Sequence, residues 1–253
     1  MRFQLPKIVG PVFQYYRLSN FYQNHRLYVK SIVPGQLQGE ALSFSQLSDC
    51  SPLVGPEPQV IGSDDQPLVY YPCGLIANSF FNDTLSGLTG AETIEFSKSN
   101  INWPSDKDKF GASKYSLTQV VAPPYWRERD DVNPDGTYKQ LPDLANDADF
   151  INWMRTAGLS TFRKLYGRFD GNIEAGSYEI AIRSVFEVKS FNGTKSLVIS
   201  TVSWLGGKNK FLGVSYLVVG ALSLALGFVF LIKHIVSPRK LGDHRYLSWN
   251  KVE

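Results

Sequence analysis

The residues of this sequence whose types and spacing could do chemistry are two cysteines, Cys50 and Cys73, and two asparagines in glycosylation sequons. The sequons are Asn82-Asp83-Thr84 and Asn192-Gly193-Thr194. An even cysteine count beside sequons is compatible with one disulfide formed in an oxidising compartment. The pair brackets a loop-like stretch, PLVGPEPQVIGSDDQPLVYYP, that is costly to order without a staple. Closing a loop of that length contributes about 3 kcal/mol in the chain-entropy model. Two unpaired buried thiols are the alternative. A sequon is modified only on the lumenal side of a membrane, on an exposed segment, so Asn82 and Asn192 are candidate glycan carriers.

Other chemistry lacks parts. His25 is the only histidine ahead of the long apolar stretch described below, so a His-Cys zinc site, a Ser-His-Asp triad and a Cys-His dyad are all incomplete there. In DDVNPDG, the residues Asp131, Asn133, Asp135 and Gly136 match the opening of a calcium loop. The twelfth position is Pro142 where a bidentate Glu is needed, and Pro134 interrupts the loop, so the stretch reads as a turn. WLGGKNK has Gly-Lys without the first glycine or the following Ser/Thr of a phosphate cradle. Paired carboxylates for glycoside hydrolysis stay open, because that pair is defined in space. No catalytic, cofactor-binding or metal-ligating residue is assigned. With 26 basic against 23 acidic side chains, the formal charge of +3 does not supply the strongly basic face that nucleic acid asks for.

One element dominates the rest. From Phe211 to Ile232 no residue is charged, and 22 residues at helical rise reach ~33 Å, enough to cross the hydrocarbon core of a bilayer. Lys233, Arg239, Lys240, Arg245 and Lys251 follow it, against Lys195, Lys208 and Lys210 in the twenty residues before, which favours a cytosolic C-terminus. The sequons agree with that orientation. The predicted organisation is therefore an extracytoplasmic domain at 1–210, a transmembrane helix at 211–232 and a cytosolic tail at 233–253. MRFQLPKIVGPVFQYYRLSN has no apolar h-region, so we expect translocation to be driven by an upstream transmembrane helix of the complete protein. Within the apolar helix Gly213, Gly220 and Gly227 recur every seven residues, and Ser223 falls near the same face, a bare seam of the kind that packs against another helix in lipid.

Abundant aromatics, 13 Tyr and 16 Phe against 2 Met, favour strands in the large domain. Asn192-Gly193 between YEIAIRSVFEVKSF and TKSLVISTVSWL predicts a hairpin over 178–205, its tip exposed and its second strand entering the membrane through WLGGKNK. Further strands are expected at VFQYYRL, LVYYPCGLIANSFF and TQVVAP. NDADFINWMRTAGL reads as a helix with Asp147 as cap and Gly158 as stop, and STFRKLYG as a short turn.

Five segments carry a resemblance: LSNFYQNHRLYVKS at 18–31, PCGLIANSFFNDT at 72–84, INW with DKDKF at 101–110, FINWMRTAGLSTFRKLYGRF at 150–169, and GGKNKFLG through the helix to SPRKLGDHRYLSWN at 206–250. With them the chain resembles the ligand-effect modulator 3 (cell division control protein 50) family, accessory β-subunits of phospholipid-flipping type IV P-type ATPases. The resemblance implies a non-catalytic subunit of a hetero-oligomer, with a glycosylated, disulfide-bonded, antiparallel β-sandwich-like ectodomain, a few short helices and both termini cytosolic. It implies that Cys50 and Cys73 form the family's later disulfide and that Asn82 is its NDT sequon. The implied partner is the ATPase α-subunit, which moves membrane lipid. The implied role is to stabilise that partner and escort it from the endoplasmic reticulum towards Golgi, endosomal or plasma membranes, with no cofactor. The family's first transmembrane helix and earliest ectodomain cysteines have no counterpart in this sequence. Composition and topology alone would also suit a single-pass receptor or adhesion ectodomain.

Overall fold

The computed structural model describes residues 1–90, 92–201 and 210–238. The chain divides into two compact units, Met1–Val202 and Ser203–Glu253. Among the described residues the first is built on nine strands: β1 (Arg2–Leu5), β2 (Val12–Leu18), β3 (Val69–Tyr70), β4 (Thr84–Thr89), β5 (Thr93–Ile94), β6 (Val120–Val121), β7 (Phe162–Phe169), β8 (Gly176–Arg183) and β9 (Lys195–Ser200). Short helices lie between them: α1 (Arg26–Lys30), α2 (Pro34–Leu37), α3 (Leu75–Asn78), α4 (Pro104–Lys107) and α5 (Ala148–Met154). The second unit contains α6 (Lys210–Val236).

The strands make an antiparallel four-stranded sheet in the order β1-β8-β4-β5 and an antiparallel three-stranded sheet in the order β7-β2-β9. A short parallel pair, β3-β6, lies apart from them. In β2 the alternation expected of VFQYYRL holds: Val12, Gln14, Tyr16 and Leu18 are buried while their neighbours are not. Gln14 is buried among apolar residues and donates from Nε2 to the Ser86 carbonyl of β4 at 3.3 Å, tying one sheet to the other. Between the two sheets Val12, Leu88, Ile94, Ile173, Tyr178 and Ile180 form one buried cluster with Phe169, Leu197 and Ile199 against it, a sandwich interior. A second, larger cluster gathers the aromatic residues Tyr16, Tyr71, Phe81, Trp126, Phe150 and Trp153. Trp126 and Trp153 are fully covered, and their indole N–H groups donate to the carbonyls of Ala77 at 2.9 Å and Ile76 at 2.7 Å, satisfying the end of α3.

Four local expectations are corrected. β8 and β9 do not pair: β8 lies between β1 and β4, and β9 lies beside β2 in the other sheet. A type I′ hairpin turn needs positive φ at both central residues, but among the described residues only Asn192 of the pair has it, at +53°. Asn192 instead caps a 3-10 turn over Lys189–Phe191. Gly193 is required because a side chain there would collide with the Phe191 ring and the Ser19 carbonyl. The STFRKLYG segment is not a turn but the start of β7, its period hidden by the inward-facing Lys164.

The same lysine explains the early end of α5. Asp147 is its cap, accepting from the Phe150 N–H at 2.9 Å, but the helix stops at Met154, ahead of Gly158. Lys164 Nζ donates to the carbonyls of Asn152 at 2.9 Å, Trp153 at 3.3 Å and Arg155, taking over the helix end. LVYYPCGLIANSFF keeps only Val69–Tyr70 as strand, since Gly74 at φ +94° turns the chain into α3. DDVNPDG is a turn. Asp135 Oδ1 accepts from Thr137 N and Oγ1 at 2.9 and 2.7 Å, and Asp131 pairs with Arg129 at 3.0 Å.

Candidate functional site

Cys50 closes a 3-10 helix, Phe44–Cys50, and Cys73 lies between β3 and α3. They are joined in a disulfide with Cα atoms 5.7 Å apart, and both are buried. Two polar side chains that are 1% exposed bracket the bond. Ser31 Oγ donates to the Cys50 carbonyl at 2.9 Å and accepts from Leu75 N at 2.9 Å. Gln36 donates from Nε2 to the Tyr70 carbonyl at 3.0 Å and accepts at Oε1 from Cys73 N at 2.9 Å. Neither role is legible from residue type or spacing, because their partners are backbone groups far along the chain.

The first sequon opens β4, and its middle residue is its most constrained. Asp83 is buried: Oδ1 accepts from the backbone N–H groups of Val185 and Phe186, both at 2.6 Å, and Oδ2 pairs with Lys195 Nζ at 2.6 Å. Lys195 also donates to the Phe186 carbonyl at 2.7 Å. The carboxylate thus fastens the start of β4 to the chain after β8 and to the start of β9, with charge-assisted bonds throughout. Thr84 is exposed, and Asn82 is partly covered, its Oδ1 buried without a partner. Asn82 stands between two cavities of about 470 and 330 Å³ that both touch Phe80, Tyr125, Glu128 and Val185. Asp149 and Tyr166 line the larger, and behind them Lys98 Nζ contacts both oxygens of Asp149 at 2.8 Å and lies over the Tyr166 ring. Burial pushes that carboxyl up, against the pull of Lys98.

The second sequon is open to solvent. Asn192 is exposed, and Thr194 is tied to Ser19 through Oγ1–Oγ at 2.7 Å. Phe191 beside it lines the smaller cavity, so the fold brings the two sequon segments to the same cavity.

α6 runs 27 residues, and none of its described side chains is buried. Phe211–Val236 is long and apolar enough to cross a membrane. Gly213, Gly220 and Gly227 have open space where a side chain would stand, and Ser223 Oγ donates to the Val219 carbonyl at 2.9 Å. The connector at 202–209 and the basic residues Arg239, Lys240, Arg245 and Lys251 lie outside the described residues.

The profile of the LEM3 (ligand-effect modulator 3) family / CDC50 family matches residues 1–240. The chain belongs to this family. Among curated family relatives it is 43% identical over 243 residues to ALA-interacting subunit 3 of Arabidopsis thaliana, covering 95% of this chain and 64% of that protein. It is 39% identical over 270 residues to phospholipid-transporting ATPase accessory subunit CDC50 of Chaetomium thermophilum, covering 99% and 63%. It is 39% identical over 243 residues to cell cycle control protein 50A of Bos taurus, covering 88% and 64%. The chain therefore spans a little under two thirds of the length of these relatives. With its apolar helix and large β-rich unit, this family member is an integral membrane protein with a large extramembranous domain.

Proposed function

We propose that the chain acts as a non-catalytic accessory subunit of a phospholipid-translocating type IV P-type ATPase. Membership of the LEM3/CDC50 family over residues 1–240 carries this reading, and relatives from two fungi bear the name phospholipid-transporting ATPase accessory subunit. In this reading the domain before α6 is lumenal or extracellular, Asn82 and Asn192 carry N-linked glycans, and the residues after the helix are cytosolic. The subunit stabilises the catalytic α-subunit, supports its exit from the endoplasmic reticulum, and leaves ATP hydrolysis and lipid movement to it. The oxidising compartment required by the Cys50–Cys73 disulfide supports that orientation, as does the basic excess after the apolar helix.

Purification of the full-length protein in mild detergent tests the proposal. A P-type ATPase is expected to co-purify in stoichiometric amount, and ATP hydrolysis is expected only when it is present. Recovery of the subunit alone, or of ATPase activity after the large partner is removed, would sink the reading.

A further inference from the structure

We propose that the glycan on Asn82 is packed into the cleft around that residue, as a covalently held ligand of the domain, while a glycan on Asn192 stands free in solvent. This rests on the glycosylation reading above and adds to it a binding site. Asn82 forms part of the wall of both cavities, of about 470 and 330 Å³. Each is in the range of small-molecule clefts, roughly 300–1,000 Å³. A sugar bonded to Nδ2 of Asn82 starts within the cleft.

The lining suits a saccharide. Tyr125 is 72% exposed, a large ring left on the surface where most aromatic side chains of the domain are at least partly covered. Its backbone is held: the Tyr125 backbone N–H donates to Asn78 Oδ1 at 3.1 Å, and the neighbouring Trp126 is anchored on Ala77. An exposed aromatic face offers its negative quadrupole to the C–H face of a pyranose ring. Glu128, Asp130 and Arg183 add charged partners for sugar hydroxyls, which both donate and accept. The buried Asn82 Oδ1 without a partner is a polar atom that a hydroxyl or acetamido N–H of the occupant would satisfy. Asp83 pins the sequon backbone, so the first sugar leaves Asn82 in a fixed direction. Because the sugar is tethered, its contacts are intramolecular, and individually weak ones suffice.

Attachment requires a lipid-diphosphate-linked oligosaccharide as donor. Nδ2 forms a bond to the anomeric carbon, the carbon–oxygen bond to the diphosphate breaks with its electron pair leaving on the diphosphate, and Nδ2 loses one proton. Asn192 has no comparable surroundings: it is exposed in a left-handed turn and lines neither cavity.

The test is native digestion of the full-length glycoprotein in detergent by a peptide N-glycosidase, with release at each site followed by peptide mass spectrometry. The Asn192 glycan is expected to be released at least tenfold faster than that on Asn82, and denaturation to abolish the difference. Replacing the cleft rim, Tyr125→Ala with Glu128→Ala, is expected to bring Asn82 release close to the Asn192 rate. Equal native rates in the unaltered protein would overturn the packed glycan while leaving glycosylation standing. An unmodified Asn82 peptide beside a modified Asn192 peptide would overturn the glycosylation of Asn82 itself. Resistance that persists unchanged in the rim variant would assign the protection to another protein and overturn the cleft. As a second readout, Thr84→Ala, which removes the sequon at an exposed position, is expected to lower Tm, and Asn192→Gln to leave it unchanged.

Discussion

Asp83 occupies the one sequon position at which any residue but proline is accepted, and here it is a buried carboxylate holding three segments together. Asp83→Ala keeps Asn82-X-Thr84 as an acceptor yet leaves Lys195 and two N–H groups without their partner. Removing one member of a buried pair costs about 3–5 kcal/mol. Denaturant unfolding of the full-length protein is expected to show that loss with glycan occupancy at Asn82 retained, and an unchanged midpoint would refute the clamp. Lys164 gives a pH signature. Burial, helped by the Arg155 charge, lowers its amine from 10.5 to about 7. Between those pH values the unfolded chain binds more protons than the folded one, so stability rises with pH across that window. Above that window the slope reverses, because burial raises Tyr28 from 10.0 to about 12 and the unfolded phenol ionises first. Lys164→Met is expected to flatten the rise between pH 7 and 10 in a Tm series; a retained rise would exclude Lys164 as its source. Cys50, Cys73 and the Asp147 cap were legible from type and spacing. Asp83 was not, because its partners lie more than 100 residues away and nothing local marks them.

At the scale of elements, β2 and the apolar helix declared themselves because one physical period governs each: alternation about a buried face, and an uninterrupted uncharged run. The expected hairpin failed because Asn-Gly has two uses. It supplies a positive-φ pair in a turn, or, as here, one left-handed cap followed by a glycine admitted for want of space. β7 was missed because a lysine stands at an inward position, where its Nζ serves the end of α5. For α6 the prediction concerns the seam of Gly213, Gly220, Ser223 and Gly227, proposed as a packing surface for a helix of the α-subunit or for an upstream helix of the complete protein. Small residues let helix backbones approach in lipid, where burial of apolar surface drives nothing. Gly220→Leu with Gly227→Leu is expected to leave insertion and glycosylation intact and to reduce co-immunoprecipitation of the ATPase severalfold, with the pair held in the endoplasmic reticulum. Ala221→Leu on another face is expected to change little. Undiminished association of the double variant would assign the complex to the large domain instead.

At the scale of the whole domain, the sandwich is closed by strands from opposite ends of the chain. β1 pairs with β8, and β2 lies between β7 and β9. The Met1 nitrogen donates to the Ile180 carbonyl at 2.7 Å, across 179 residues of sequence. Pairings so distant in sequence form late, because the intervening loop must be closed before they stabilise anything. During synthesis the first two strands have no partners until β7, β8 and β9 have emerged. The Asp83 clamp is subject to the same delay: Val185 lies 102 residues downstream of it. At ~5–20 residues per second of translation, that distance is a wait of roughly 5–20 s. Throughout it Asn82 is presented on a loose chain, and once Lys195 arrives the sequon is fixed in place. Any sugar transfer to Asn82 is thus timed by the length of chain between one carboxylate and its partners, and a faster ribosome would shorten the interval.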